Sequence, residues 1–184
     1  TPFQEDSPYR PNSPYSASKA SSDHFARAWF STYGLPVIIT NCSNNFGPRQ
    51  NNEKLIPTII RNALNEETIL IDESTQNISD LIYVKNHCEG LYLALTKGKI
   101  GESYAFGAQN EMCSLKIAVM LCNILDREVP RNTGESYEAL ISFVEDRKGN
   151  SWRSRITTGK VEKELGFSPA ITQEMEFLET IHYY

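Results

Sequence analysis

What this 184-residue sequence lacks narrows the field first. It holds no Gly-x-Gly-x-x-Gly or Walker-type loop, so a dinucleotide's pyrophosphate finds no recognisable glycine cradle. Its four cysteines (Cys42, Cys88, Cys113, Cys122) fall at irregular spacings with no Cys-x-x-Cys pair, and three histidines are scattered. That excludes a zinc pattern, and free thiols in a reducing cytoplasm are expected rather than a disulfide frame. No apolar run approaches the ~20 residues that span a bilayer. There is no basic block either: 18 basic residues face 23 acidic ones, for a net charge of −5. Nucleic acid and membrane surfaces both call for a positive field, so neither is an expected partner. A local cationic pocket for an anionic small molecule remains compatible with that balance.

What is present is the composition of a folded domain, 40% hydrophobic and 22% charged. Asn41-Cys42-Ser43 and Asn77-Ile78-Ser79 match the glycosylation sequon, a pattern short enough to arise by chance. The start, Thr1-Pro2-Phe3, reads as a loop in mid-protein, and the chain is expected to be a piece of something longer.

Residues 2–14 carry Pro2, Pro8, Pro11 and Pro14 among Ser and Asn, an irregular surface connection. Ser13-Pro14 then supplies an N-cap and a first-turn proline. The spacing of Phe25, Trp29 and Tyr33, extended by Ser18 and Ser22, predicts a helix over Tyr15–Tyr33 that stops at Gly34. Val37–Thr40 is a β-branched run suited to a buried parallel strand, and it ends in a polar loop, Asn41–Asn45, closed by Phe46-Gly47-Pro48. Helices are predicted over Leu55–Leu64, Asn86–Thr96, Ser114–Asp126, Gly159–Leu165 and Thr172–His182. Extended segments are predicted over Thr68–Ile71, Ile78–Val84, Glu102–Phe106 and Leu140–Val144. The alternation is that of a doubly wound α/β fold, in which ligands sit beyond the carboxyl ends of the strands.

Three groups of residues could carry chemistry. A spacing of four puts Tyr15 and Lys19 on one helix face. An ammonium beside a phenol stabilises phenolate, as an acid–base tyrosine requires, although such a pair also arises by chance. The Asn41–Pro48 loop offers amides and a hydroxyl where an α/β ligand would lie, and it equally suits a plain Asn-rich turn. Glu53-Lys54-Leu55-Ile56-Pro57 and Arg147-Lys148-Gly149-Asn150 would place cations at a pocket mouth, or are surface charges. The acidic run Glu135, Glu138, Glu145 and Asp146 reads as a solvated face.

The stretch SPYSASKASSDHFARAWFSTYGLPVIITNCSNNFGPRQNNEKLIP (Ser13–Pro57) resembles the dTDP-glucose 4,6-dehydratase family of extended short-chain dehydrogenase/reductases. The resemblance continues more thinly through GESYAFGAQNE, FVEDRKGN and KVEKELGFSP, and covers only the C-terminal part of the family enzyme. It implies the C-terminal part of a Rossmann-like doubly wound domain plus a smaller mixed α/β substrate domain. Residues 1–45 would end the dinucleotide-binding domain, and 46–184 would form mainly the nucleotide-sugar domain, with some segments returning to the first. By resemblance Tyr15 is the catalytic tyrosine, and Lys19 the lysine that lowers its pKa and holds the nicotinamide ribose of NAD. Asn45 lies where the family approaches the cofactor, Asn44 is similar to a substrate-phosphate contact, Lys54 and Leu55 to nucleotide-sugar contacts, and Arg147 to the arginine that meets the diphosphate.

The implied reaction is internal redox: hydride passes from sugar C4 to NAD as the tyrosine takes the hydroxyl proton, water leaves across C5–C6, and hydride returns to C6. No metal is implied. The Tyr15–Tyr33 helix serves either a homodimer, as in the family, or packing on its own sheet; the sequence fits both.

Departures from the family pattern bear on activity. The glycine-rich loop and the Thr-Asp-Glu elimination group are not in this sequence. Asp72 stands where the family has a nucleotide-contacting tyrosine, Ser79 replaces an arginine, Ser114 an asparagine, Asn150 a histidine and Lys148 a proline. Losing a cation and a stacking surface should weaken binding of an anionic nucleotide. Two other readings therefore stand beside a 4,6-dehydratase-like protein: a non-catalytic binding module, and another extended-family sugar epimerase or decarboxylase.

Overall fold

The computed structural model describes residues 2–72, 78–145, 153–170 and 173–184. In chain order it contains α1 (Pro14–Tyr33), β1 (Ile39–Cys42), β2 (Asn44–Phe46), α2 (Leu55–Leu64), β3 (Ile69–Asp72), β4 (Ile78–Tyr83) and α3 (Val84–Lys97). Then follow β5 (Ser103–Phe106), β6 (Glu111–Cys113), α4 (Ser114–Glu128), β7 (Ile141–Val144), β8 (Arg153–Ser154), α5 (Gly159–Leu165) and α6 (Gln173–Ile181). The mixed α/β expectation holds, and most strand pairs are parallel: β1 with β5, β2 with β4, β3 with β7, and β8 with β4. Among the described residues, only β6 joins its neighbour, β4, antiparallel.

Helix α1 begins as its sequence dictates. The Ser13 hydroxyl accepts from the Ser16 N–H at 3.1 Å while the Ser16 hydroxyl accepts from the Ser13 N–H at 3.0 Å, a reciprocal cap that satisfies two donors. It ends on Gly34, whose φ of 68° is left-handed and favours glycine. Ala20 is its one buried side chain, and Phe25, Trp29 and Tyr33 are 68%, 52% and 71% exposed, so the aromatic stripe is not core. Two polar bonds moor the helix instead: Arg27 Nη2 to Ser103 Oγ at 2.8 Å and Asn41 Nδ2 to Asp23 Oδ2 at 2.8 Å.

Two apolar clusters flank the strands. In the first, α2 buries Ile56, Ile59, Ile60 and Ala63 at helical spacing against Ile69 and Ile71 of β3 and Ile117, Leu121 and Leu125 of α4. Phe46 and Phe177 stack there with ring centroids 4.8 Å apart. The second joins Ile82, Ala94, Tyr104, Phe106, Val161, Leu165 and Phe167. Among the described residues no helix is long and apolar enough to cross a membrane.

The structure corrects several boundaries. The first strand is Ile39–Cys42 rather than Val37–Thr40, and the polar segment expected to be a loop is largely strand, since Asn44–Phe46 pairs with Leu81–Tyr83. Ladder bonds to β5 and β4 outweigh the turn preference of asparagine there. Helix α3 starts at Val84, two residues early, and the short strands β6 and β8 were not anticipated because two or three residues carry no readable period.

One buried charge organises the centre. Asp80 on β4 is fully buried, with its Oδ1 accepting the Asn110 N–H at 2.8 Å while the Leu81 N–H returns a bond to the Asn110 carbonyl at 3.0 Å. Burial pushes this carboxyl above its usual range, opposed by the amides of residues 108–110. We expect Asp80→Ala to cost about 1–3 kcal/mol, because it strands buried amide donors. A raised folded pKa makes this group's stabilising contribution complete below the unfolded value, about 3.9, and removes it as pH rises through the folded one. The stability gap between native and Asp80→Ala protein should therefore narrow over that rise, as denaturant melts at stepped pH would measure.

At Gly90 on α3, an added Cβ would lie 2.6 and 2.7 Å from Phe106 Cδ1 and Cε1. Alanine gains about 1 kcal/mol of helix propensity but overpacks the ring by about 1–3 kcal/mol. Gly90→Ala should thus lower the melting temperature despite the better helix former; an unchanged or higher value would show that Phe106 can give way.

Candidate functional site

The chain changes sheets over Ile39–Phe46. Residues 39–42 pair with Ser103–Phe106, the Ser43 N–H bonds the Phe106 carbonyl at 2.9 Å, and residues 44–46 pair with Leu81–Tyr83. The divergence opens a cavity of about 710 Å³ at the strands' carboxyl ends. Helix α1 contributes Tyr15, Lys19, Ser22 and Asp23, the crossing strand contributes Thr40 to Asn45, and the loop and first turn of α2 contribute Gln50, Lys54, Leu55 and Ile56. Ser79, Leu81, Met112, Ser114 and Ile117 close the far side.

Six residues singled out from sequence, Tyr15, Lys19, Asn44, Asn45, Lys54 and Leu55, thus line one cavity. Tyr15 is 73% exposed at its rim. Arg147, Lys148 and Asn150 lie outside the described residues. Glu53 is exposed, with its N–H on the Asn51 side chain, and is not among the lining residues. Asp72 ends β3 away from the lining, whereas Ser79 and Ser114, the two positions that depart from the family's arginine and asparagine, both face the cavity.

The wall is held by its own polar bonds. Asn45 Nδ2 donates to Cys42 Sγ at 3.2 Å and to the Ser43 carbonyl at 3.3 Å, and its Oδ1 lies 3.0 Å from His87 Nδ1. Gln50 Nε2 donates to the Asn45 carbonyl at 2.7 Å, and Tyr184 Oη in turn bonds the Gln50 carbonyl. Asp23 collects Asn41 Nδ2 and, at 2.7 Å, the Tyr9 hydroxyl. Although the residue as a whole is exposed, desolvation around its sulfur raises the Cys42 thiol pKa, against the opposing pull of Asn45 and the Lys19 ammonium. Burial also lowers the His87 pKa, which favours the neutral imidazole. Among the described residues, two buried side-chain oxygens of the lining, Ser43 Oγ and Gln50 Oε1, have no hydrogen-bond partner.

Sequence reading anticipated the Ser43 hydroxyl within the Asn41–Pro48 segment but missed Asp23, Gln50 and His87. For Asp23 a signal existed: Tyr15, Lys19, Ser22 and Asp23 follow one helical face at i, i+4, i+7 and i+8. His87 lies 42 residues from Asn45, and nothing local joins them. A second cavity, about 380 Å³, backs onto the same wall under the Phe3–Pro11 segment. Among the described residues no group of three or more His, Cys, Asp or Glu could hold a metal ion.

Comparison with known proteins gives this geometry a lineage. The family model described as GDP-mannose 4,6 dehydratase matches residues 1–180. The dTDP-glucose 4,6-dehydratase of Salmonella typhimurium is 46% identical over 182 residues, covering 99% of this chain and 50% of the relative. That of Haemophilus influenzae is 45% identical, covering 99% and 54%. Among solved structures, the dTDP-glucose 4,6-dehydratase DesIV of Streptomyces venezuelae with NAD bound superposes at a TM-score of 0.90 with 36% identity, over 100% of this chain and 54% of that one. A UDP-glucuronic acid 4-epimerase of Bacillus cereus, at 0.86 and 22% identity, shares the fold alone. The chain spans about half the length of the curated relatives it matches. By this match and these identities, the chain belongs to the GDP-mannose 4,6-dehydratase family and has the Rossmann-like fold of its dTDP-glucose 4,6-dehydratase members.

Proposed function

We propose that this chain supplies the tyrosine–lysine helix and the nucleotide-sugar cavity of a dTDP-glucose 4,6-dehydratase-like lyase, a cytoplasmic protein that works with NAD. The observation that supports it best is the convergence of Tyr15, Lys19, Asn44, Asn45, Lys54 and Leu55 on one cavity. The lining fits a ligand rich in hydroxyl and carboxamide groups, because it offers amides, hydroxyls and two buried oxygens that have no partner among the described residues. Those groups suit the nicotinamide–ribose end of NAD. The sequence holds no glycine-rich loop for its diphosphate, so the chain by itself should bind NAD poorly.

When bound, NAD supplies the acceptor and later the donor of the sugar's hydride. Tyr15 Oη takes the proton of the sugar hydroxyl, and its exposure at the rim leaves it free to do so. Lys19, one helical turn on, holds the ribose hydroxyls through its ammonium. Asn44 and Lys54 meet the phosphates and Leu55 packs on the nucleoside side, with Arg147 as the further cation for the diphosphate. The domain division at residues 45 and 46, and a homodimer through α1, belong to the same reading. The exposed stripe Phe25, Trp29 and Tyr33 supports the homodimer.

A second reading has its own observation. Ser79 and Ser114 face the cavity where the family carries an arginine and an asparagine, which favours a binding module with weakened nucleotide contacts or an enzyme with a changed sugar.

Co-expression with the unmatched half of the Salmonella relative, followed by assay for a 4-keto-6-deoxy sugar, separates these readings. We expect product, and a loss of about 10²–10⁴-fold in turnover for Tyr15→Phe. Turnover untouched by Tyr15→Phe, or tight NAD binding to the chain alone by calorimetry, would overturn the proposal. Binding without turnover would support the module, and release of a different sugar product the changed enzyme.

A further inference from the structure

We propose that His87 is a positioning residue of this site: its Nδ1–H holds the Asn45 carboxamide, and through it the Cys42–Asn45 wall, in one orientation. The inference deepens the nucleotide-sugar reading by naming what keeps that cavity wall in shape, and rests on that reading only for the identity of the ligand.

The orientation of an amide follows from what surrounds it. Asn45 has two acceptors on one side, Cys42 Sγ at 3.2 Å and the Ser43 carbonyl at 3.3 Å, and a ring nitrogen of His87 at 3.0 Å on the other. Turning the amide over would set Asn45 Oδ1 against the Ser43 carbonyl oxygen, two acceptors facing each other. The amide nitrogen therefore faces Cys42 and Ser43, the oxygen faces His87, and His87 must carry its proton on Nδ1.

The ring is well placed to impose this. His87 sits in the first turns of α3, half-buried, with its centroid 6.1 Å from that of Phe106. Phe106 is fully buried, and its carbonyl takes the Ser43 N–H. The imidazole and the crossing strand are thus referenced to the same β5 residue. Both functional atoms of the Asn45 side chain are used inside the protein, so Asn45 shapes the wall through its neighbours.

Cys42 reports on this arrangement without any ligand, because Asn45 donates to its sulfur and lines the same cavity. The histidine Nδ1 and an asparagine Nδ2 are each bonded to Cγ, so His87→Asn returns a donor to the same place. His87→Gln puts its donor one atom farther out, where Nε2 stands, and His87→Leu has none.

The test is the pH profile of Cys42 alkylation by iodoacetamide in the 184-residue chain, read peptide by peptide so that Cys88, Cys113 and Cys122 do not interfere. The Lys19 ammonium stays in place throughout. We expect the midpoint to move up in His87→Leu and His87→Gln, with about three-fold slower reaction at neutral pH, and to return to the native value in His87→Asn. Asn45→Ala should match His87→Leu, and the double variant should add nothing, the signature of two residues acting as one unit. Far-ultraviolet circular dichroism identifies any variant that fails to fold, and the Asn–Gln contrast between folded variants then decides. A native midpoint in His87→Leu, rescue by Gln equal to that by Asn, or additive effects in the double variant would overturn the proposal. Protection of Cys42 by a nucleotide sugar with NAD, in the chain co-expressed with the unmatched half of the Salmonella relative, is a separate arm. Its absence alongside the expected midpoints would sink the ligand reading and leave the positioning role standing.

Discussion

The crossing of the chain between two parallel ladders at Ser43 is the constraint on which the site depends. Up to Cys42 the backbone is committed to β5, and from Asn44 it is committed to β4. A single residue, its N–H fixed to Phe106, has to make the exchange. Because the two ladders splay, side chains that would otherwise point into a sheet's surface face an opening, and α1 on one side and α2 on the other become its banks. A cavity at the carboxyl ends of parallel strands is the ordinary consequence of such a divergence. What is particular to this chain is the set of polar atoms it places there.

Those atoms are affordable because the surroundings are rigid. Leu81, Met112 and Ile117 floor the cavity and belong to the first apolar cluster, while Phe106 behind Ser43 belongs to the second. Each cluster is anchored on β4, which pairs with β2, β6 and β8 and carries the buried Asp80. A buried hydroxyl without a partner, as Ser43 Oγ is among the described residues, costs free energy on the order of 1–3 kcal/mol, and the cost persists only where packing prevents relaxation. Rigidity of the core and unsatisfied polarity of the wall are therefore two sides of one arrangement.

How much of this was legible in the sequence follows from the range of the interactions. The α1 cap and stop, the bounds of α2 and α5, and the Tyr15–Lys19 pair are set by neighbours within a few residues, and all could be read. Family resemblance then carried Asn44, Asn45, Lys54 and Leu55 to one place. The strand character of Asn44–Phe46 could not be read, because only the distant β4 supplies its hydrogen bonds. The same holds for His87, where 42 residues intervene before Asn45. The aromatic stripe of α1 shows a different limit: its clear local period fitted both a homodimer and packing on its own sheet, and in this chain it faces outward.

The charge at the site can be weighed in the same way. Among the described lining residues the cations are Lys19 and Lys54, and the carboxylate is Asp23, already bonded to Asn41 and Tyr9. A nucleoside diphosphate brings more negative charge than that difference offsets, and an arginine fork would have closed much of the gap. Serine at 79 and 114 offers single hydroxyl donors instead, about half as strong toward an anion as a charged one. Affinity for a ligand here must then come chiefly from dipoles that are already oriented: the amides of the crossing strand and the first turn of α4, whose Cys113 cap makes no side-chain bond to it. Oriented dipoles cost no reorganisation when a ligand arrives, but only while they stay oriented. A site short of full charges depends all the more on the bonds that hold its neutral donors still, and in this cavity the densest set of those bonds runs through Asn45.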